Sequence, residues 1–181
     1  LLHQIFEAAG RDCGLIGTVE TRIGREVIAS KRTTPEATDL QALAAVMKER
    51  HMRHLVIEAS SHAMTMHRLE GAHFAIAAFT NLTQDHLDFH GDMASYFAAK
   101  SKLFANEYSD LGFVNIDDAY GRELFNNSQM HSTMHSLRSH NHKIYLETIS
   151  KVGLSSFDDK RFLLEDGIKS YAYGYYKIQD I

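Results

Sequence analysis

The chain has 181 residues, 44% of them apolar, with 19 Lys and Arg against 23 Asp and Glu, twelve histidines and one cysteine. That is enough apolar chain for one compact domain, or for one domain and a fragment of another. A net charge of -4 without a basic run excludes nucleic-acid binding by bulk electrostatics; the single Cys13 excludes an internal disulfide framework and suits a reducing compartment; and no apolar run reaches the roughly 20 residues of a membrane span.

Residues 1–9 read as the end of an amphipathic helix stopped by Gly10. The start has neither an initiator methionine nor a basic leader, so the expectation is a chain cut from something longer. Residues 13–19 read as a buried strand headed by Cys13, and the polar 21–32 with Gly24 as a loop or hairpin. Pro35 opens the next helix, with Thr34 as its cap and Leu40, Leu43, Ala44 and Met47 along one face. Short apolar runs at 54–58, 74–80 and 111–116 read as buried strands. Asp92 caps a helix running to about Asn106, and 119–125 reads as a short helix. Strands alternating with helices predict an α/β fold, a mainly parallel sheet flanked by helices. Domain boundaries are expected at 1–127 for the organised part and 128–181 for a weakly patterned remainder, partly loop. In that remainder 143–149 and 162–172 are strand candidates, and the His-rich 131–142 reads as a solvated loop rather than a metal-binding tract.

In such folds ligands collect past the carboxyl ends of the strands. Glu58 ends a buried run, so its carboxylate must be paired, hydrogen-bonded or metal-bound, or else reach solvent. Asp85 and His86 follow the next strand; the pair is either a turn cap or ligands beside Glu58. Lys100 has Tyr96 and Phe97 behind it and Leu103 and Phe104 ahead at helical spacing, which centres it in an apolar stripe. Such a lysine either snorkels to water or is a desolvated amine of depressed pKa, able to react with carbon dioxide and become an anionic carbamate that holds magnesium. Thr33-Thr34-Pro35 offers hydroxyls and free N–H groups to an anion, or simply caps a helix. Ser60-Ser61-His62 lacks a G-x-S-x-G elbow, so polar substrate contact suits it better than acyl-enzyme chemistry; Arg68 is suited to gripping an acidic group.

Taken together, Thr33-Thr34-Pro35, Glu58-Ala59-Ser60-Ser61-His62, the long run from Phe79 through Asp85-His86-Leu87-Asp88-Phe89-His90-Gly91 to Asp92, and Ala98-Ala99-Lys100 resemble the central domain of the Mur ligases. The aspartate–histidine run is most similar to that of the UDP-N-acetylmuramoyl-tripeptide synthetase branch (MurE). The resemblance implies a P-loop-type central domain of a cytoplasmic, monomeric, ATP-dependent ligase. It would add a diamino acid to UDP-MurNAc-L-Ala-D-Glu, a UDP-MurNAc-dipeptide, through an acyl phosphate in peptidoglycan synthesis. It further implies Glu58, His86 and carbamylated Lys100 (N6-carboxylysine) as catalytic ligands of Mg2+, and Thr33, Thr34, Ser60 and Arg68 as substrate contacts, with Asp85 orienting the site. No G-x-x-G-K-[ST] loop occurs, and Met66 stands where the family has a glutamine. The chain alone is therefore expected to be inactive. The alternatives are another ligase of the superfamily, of folylpolyglutamate or cyanophycin type, or a non-catalytic module that binds the UDP-sugar-peptide.

Overall fold

The computed structural model describes residues 2–128 and, as backbone, the later strands at 134–140, 143–147 and 172–177. Helix α1 (Leu2–Ala8) ends as the sequence predicts. Gly10 takes φ 70°, and the Arg11 N–H reaches back to the Phe6 carbonyl, so the last turn is closed by a left-handed residue. Strand β1 (Cys13–Ile16) follows, then β2 (Glu20–Ile23) and β3 (Glu26–Ala29), a hairpin turned at Gly24 with φ 63°. Helix α2 (Ala37–Glu49) leads to β4 (His54–Glu58), α3 (Ser61–Thr65) and β5 (Phe74–Phe79). Helix α4 (Leu87–His90) and α5 (Met93–Ser101) precede β6 (Ser109–Asn115) and α6 (Ala119–Asn127). The later strands are β7 (Met134–His140), β8 (Lys143–Glu147) and β9 (Ala172–Lys177).

The fold is α/β, but its sheet is mixed rather than mainly parallel. Strand order is β3-β2-β1-β4-β9-β5-β6-β7-β8. β1 and β4 are parallel, as are β5, β6 and β7 in turn. The reversals come from two sources that short-range pattern does not reveal. The β2–β3 hairpin doubles back beside β1, and β9 inserts antiparallel between β4 and β5. Being antiparallel to both, β9 leaves β4 and β5 pointing the same way. The carboxyl ends of β1, β4, β5 and β6 therefore share one edge of the sheet.

Other expectations shift in detail. Pro35 holds Thr34 out of the helical region, so α2 starts later, with Glu36 in the cap position and no side-chain cap bond. Asp92 caps α5 as expected, its carboxylate accepting the Ser95 N–H at 2.7 Å. The helix ends at Ser101 and tightens into a 3-10 turn over Lys102–Phe104. The tract 131–142, expected as loop, contains β7; the strand expected at 162–172 lies outside the described residues except for its last position.

The core is built on the strands. Leu55, Ile57, Phe74, Phe79 and Val114 are buried beside Met47 of α2 and Leu103 and Phe104 of the 3-10 turn. Two glycines mark close approaches. A Cβ on Gly14 of β1 would overlap the Met47 thioether, and one on Gly121 of α6 would overlap the Asn115 backbone carbonyl oxygen at the end of β6. A thioether can swing away; a carbonyl locked to a strand end cannot. Gly121→Ala is thus expected to cost about 1–3 kcal/mol through displaced backbone. Gly10→Ala, strained in φ but with nothing near its Cβ, should cost less. Urea unfolding of the three proteins checks the order.

Candidate functional site

The site lies along the edge where β1, β4 and β5 end. At the end of β4 the chain leaves the ladder, and its free backbone groups must find partners. Thr34 supplies them. Its hydroxyl donates to the Glu58 carbonyl oxygen at 2.7 Å and accepts the Ser60 N–H at 3.0 Å, and the residue is only 1% exposed. Ser60 in turn caps α3, accepting the Ala63 N–H at 3.2 Å. Thr34 is thereby a clip inside the protein, and its neighbour Thr33 presents its hydroxyl 3.0 Å from that of Thr18.

Thr18, past the end of β1, holds the Glu58 carboxylate. Its hydroxyl donates to Oε2 at 2.9 Å and its N–H at 3.3 Å. Two donors on one oxygen fix the direction of the carboxylate. Thr18 was not among the residues the sequence pointed to, because its role depends on β1 lying beside β4. Gly17, which precedes it, is the only local hint of a turn there.

The second half of the site follows β5. His86 sits at φ 56°, at the start of α4; its N–H is accepted by the Asp85 carboxylate at 2.8 Å, and its Nε2 lies 3.6 Å from the other Asp85 oxygen. Its ring meets His62 edge-on at a centroid distance of 5.0 Å and Tyr96 at 5.9 Å. Burial, followed by the neighbouring His86, lowers the pKa of His62; burial, followed by His62, lowers that of His90. Both are held as neutral imidazoles more strongly than free histidine.

Lys100 occupies the place its stripe predicts. It is 5% exposed, and its Nζ stands 5.4 Å from the centroid of the Tyr96 ring. Burial lowers its pKa to about 8, while the nearby carboxylates Glu58 and Asp85 pull the other way. The snorkelling alternative is thus replaced by a desolvated amine within electrostatic reach of two acids, yet in no ion pair with a described residue. Lys102, on the opposite side, is exposed.

Arg68 forms a third group with residues that the sequence reading passed over. Its Nε is 3.2 Å from Glu36, which also pairs with Arg32, and its pKa is lowered by burial and then by the Arg32 charge. Two guanidiniums around one carboxylate leave net positive charge suited to an acidic ligand group.

Among the described residues no three His, Cys, Asp or Glu side chains converge as a ready-made metal cage. Glu58 and Asp85 are hard oxygen donors and His86 adds one imidazole. These are donor types that Mg2+ accepts, since it is usually held by one or two carboxylates with waters and substrate phosphates rather than by a closed protein cage. An ammonium at Lys100 would repel that ion; an anionic carbamate would not.

Residues 1–174 match the Mur ligase middle domain. The chain is 58% identical over 114 residues (63% of the chain, 22% of the relative) to the UDP-N-acetylmuramoyl-L-alanyl-D-glutamate--2,6-diaminopimelate ligase of Streptomyces avermitilis. It is 38% identical over 173 residues (96% of the chain, 31% of the relative) to the UDP-N-acetylmuramyl-tripeptide synthetase of Leifsonia xyli. A solved structure of a UDP-N-acetylmuramoyl-L-alanyl-D-glutamate--2,6-diaminopimelate ligase superposes with a TM-score of 0.65 at 24% identity, over 77% of this chain and 29% of that one; it speaks to the fold. The chain spans between a fifth and a third of the length of these relatives. Among the described residues no helix is long and apolar enough to cross a membrane.

The amine makes a direct prediction. Its folded pKa of about 8 lies below the ordinary 10.5, so between those values the unfolded chain binds the extra proton. The stability that Lys100 withholds is therefore recovered as pH rises from about 8 to about 10.5. In carbon dioxide-free buffer, Lys100→Met should raise the melting temperature at pH 7 and do so less at pH 10. A gain of equal size at both would mean that the amine is not desolvated.

Proposed function

The chain belongs to the Mur ligase family through its middle domain, and on that premise we propose that it is the central part of a cytoplasmic, ATP-dependent carboxylate–amine ligase of peptidoglycan synthesis. The proposed acceptor is UDP-MurNAc-L-Ala-D-Glu, and the proposed amine is a diamino acid, 2,6-diaminopimelate, as in the name of the Streptomyces relative. The D-glutamate carboxylate takes the γ-phosphoryl group of ATP and ADP leaves. The amine then attacks the acyl-phosphate carbon, gives up a proton, and phosphate departs. The sequence contains no G-x-x-G-K-[ST] loop, so no ATP-phosphate cradle is assigned to these residues, and the chain by itself is proposed to be inactive.

What supports this reading above all is the buried Lys100 amine within electrostatic reach of Glu58 and Asp85. A pKa near 8 leaves a fraction of the amine neutral at neutral pH, and only a neutral amine attacks carbon dioxide. Nitrogen bonds to carbon, the nitrogen loses a proton, and a cation becomes a carbamate anion. Glu58, His86 and that carbamate would then hold Mg2+. When bound, the ion supplies positive charge to the phosphoryl oxygens in the transition state.

The remaining roles belong to the protein. Thr18 aims the Glu58 carboxylate. Asp85 orients the His86 backbone at its left-handed φ. Thr33 and Ser60 present hydroxyls beside the buried Thr34 clip, and Arg68, backed by Arg32, faces the acidic groups of the UDP-sugar-peptide. Together they orient the acceptor carboxylate, and orientation is a large part of catalysis between two bound substrates.

In a protein carrying this chain with the further segments of its relatives, Lys100→Ala should lower turnover by about 100-fold or more. Short carboxylates should partly restore it, and 13C-bicarbonate should label the parent but not the variant. Turnover close to that of the parent would overturn the assignment.

A further inference from the structure

His90 has no part in the reading above, yet it joins the two halves of the site. It ends α4, and Gly91, at φ 82°, lets the chain turn at once into the Asp92 cap of α5. That reversal lays the His90 ring on Tyr96, stacked at a centroid distance of 5.0 Å and an interplanar angle of 21°. On its far side, His90 Nε2 lies 2.9 Å from the hydroxyl of Ser61, a 2% exposed residue at the start of α3. Tyr96 precedes Lys100 by one helical turn and lies under its Nζ at 5.4 Å. A continuous path thus runs from β4 and Ser61 through His90 and Tyr96 to Lys100.

Each step restricts the next. A hydrogen bond fixes one nitrogen of the imidazole, a stacked pair fixes the plane of the phenol ring, and a ring face beneath an amine limits where a long, flexible side chain can end. The bridge adds a side-chain link between α3, which follows the β4 end carrying Glu58, and α5, which carries Lys100.

We propose that His90 is a positioning residue: by holding the Tyr96 ring against α5 while bonded to Ser61 on α3, it sets where the Lys100 amine stands relative to Glu58. The consequence for catalysis rests on the ligase reading; the consequence for geometry does not.

Two variants separate the contacts. His90→Phe keeps a ring for Tyr96 but loses the Ser61 bond, and His90→Gln keeps a polar group for Ser61 but loses the stack. In the 181-residue chain, the Tyr96 ring should displace the Lys100 ε-methylene protons upfield in 1H–13C spectra. Both variants should lose most of that displacement while melting within about 3 °C of the parent. In the relative-length enzyme both should lower kcat by about tenfold or more with KM for the UDP-sugar-peptide unchanged. Parental chemical shifts in either folded variant overturn the proposal, as does a loss confined to KM; should one variant fail to fold, the other decides. Full turnover by Lys100→Ala alongside lost ring-current shifts would defeat the ligase reading and leave the role of His90 standing.

Discussion

A lysine amine deprived of water is the constraint around which this structure is arranged. Lys100 sits on α5 in a stripe that packs inward, so its charge cannot be solvated without unpacking Tyr96 and Leu103. An isolated ammonium in such a place is costly, and the ordinary remedy, a carboxylate in direct contact, is absent among the described residues. The acids Glu58 and Asp85 act from a distance and only soften the cost. The amine is left where losing its proton is easy. Buried charges without partners are seldom kept by stability alone, which makes this one informative.

The other half of the arrangement is the end of β4. Strand ends release backbone groups, and here one buried hydroxyl, that of Thr34, takes both a carbonyl and an N–H. The backbone around Glu58 is therefore rigid without help from its own side chain. That frees the carboxylate to be aimed by Thr18. A residue that looks from sequence like a helix cap or an anion contact thus serves the loop itself, while Thr33 and Ser60 are less buried than it is.

Much of this was legible in the sequence because it is local. Gly10 and Asp92 punctuate helices through groups a few residues away, and both act as read. The stripe around Lys100 depends only on helical spacing, and the run 54–58 only on apolar content. Thr18, Arg32 and Glu36 escaped notice, and His90 was named without a role, for a common reason: each matters through a neighbour 15 to 40 positions distant or through a cluster that only the assembled loops create. The mixed sheet was missed for the same cause, since insertion of β9 between β4 and β5 is a pairing choice made across almost the whole chain.

Taken alone, the order of residues determined most of the helices and strands of the first 127 residues, the apolar stripe in which Lys100 stands, and which family the chain resembles. Those are consequences of steric preference and periodicity, and they act over a few residues. Only the tertiary structure decided that β4 and β5 point the same way with a reversed strand between them, that Thr34 turns inward, and that an imidazole links Ser61 to Tyr96. Such outcomes follow from satisfying every backbone group and packing every ring at once, a condition that no short window of sequence contains.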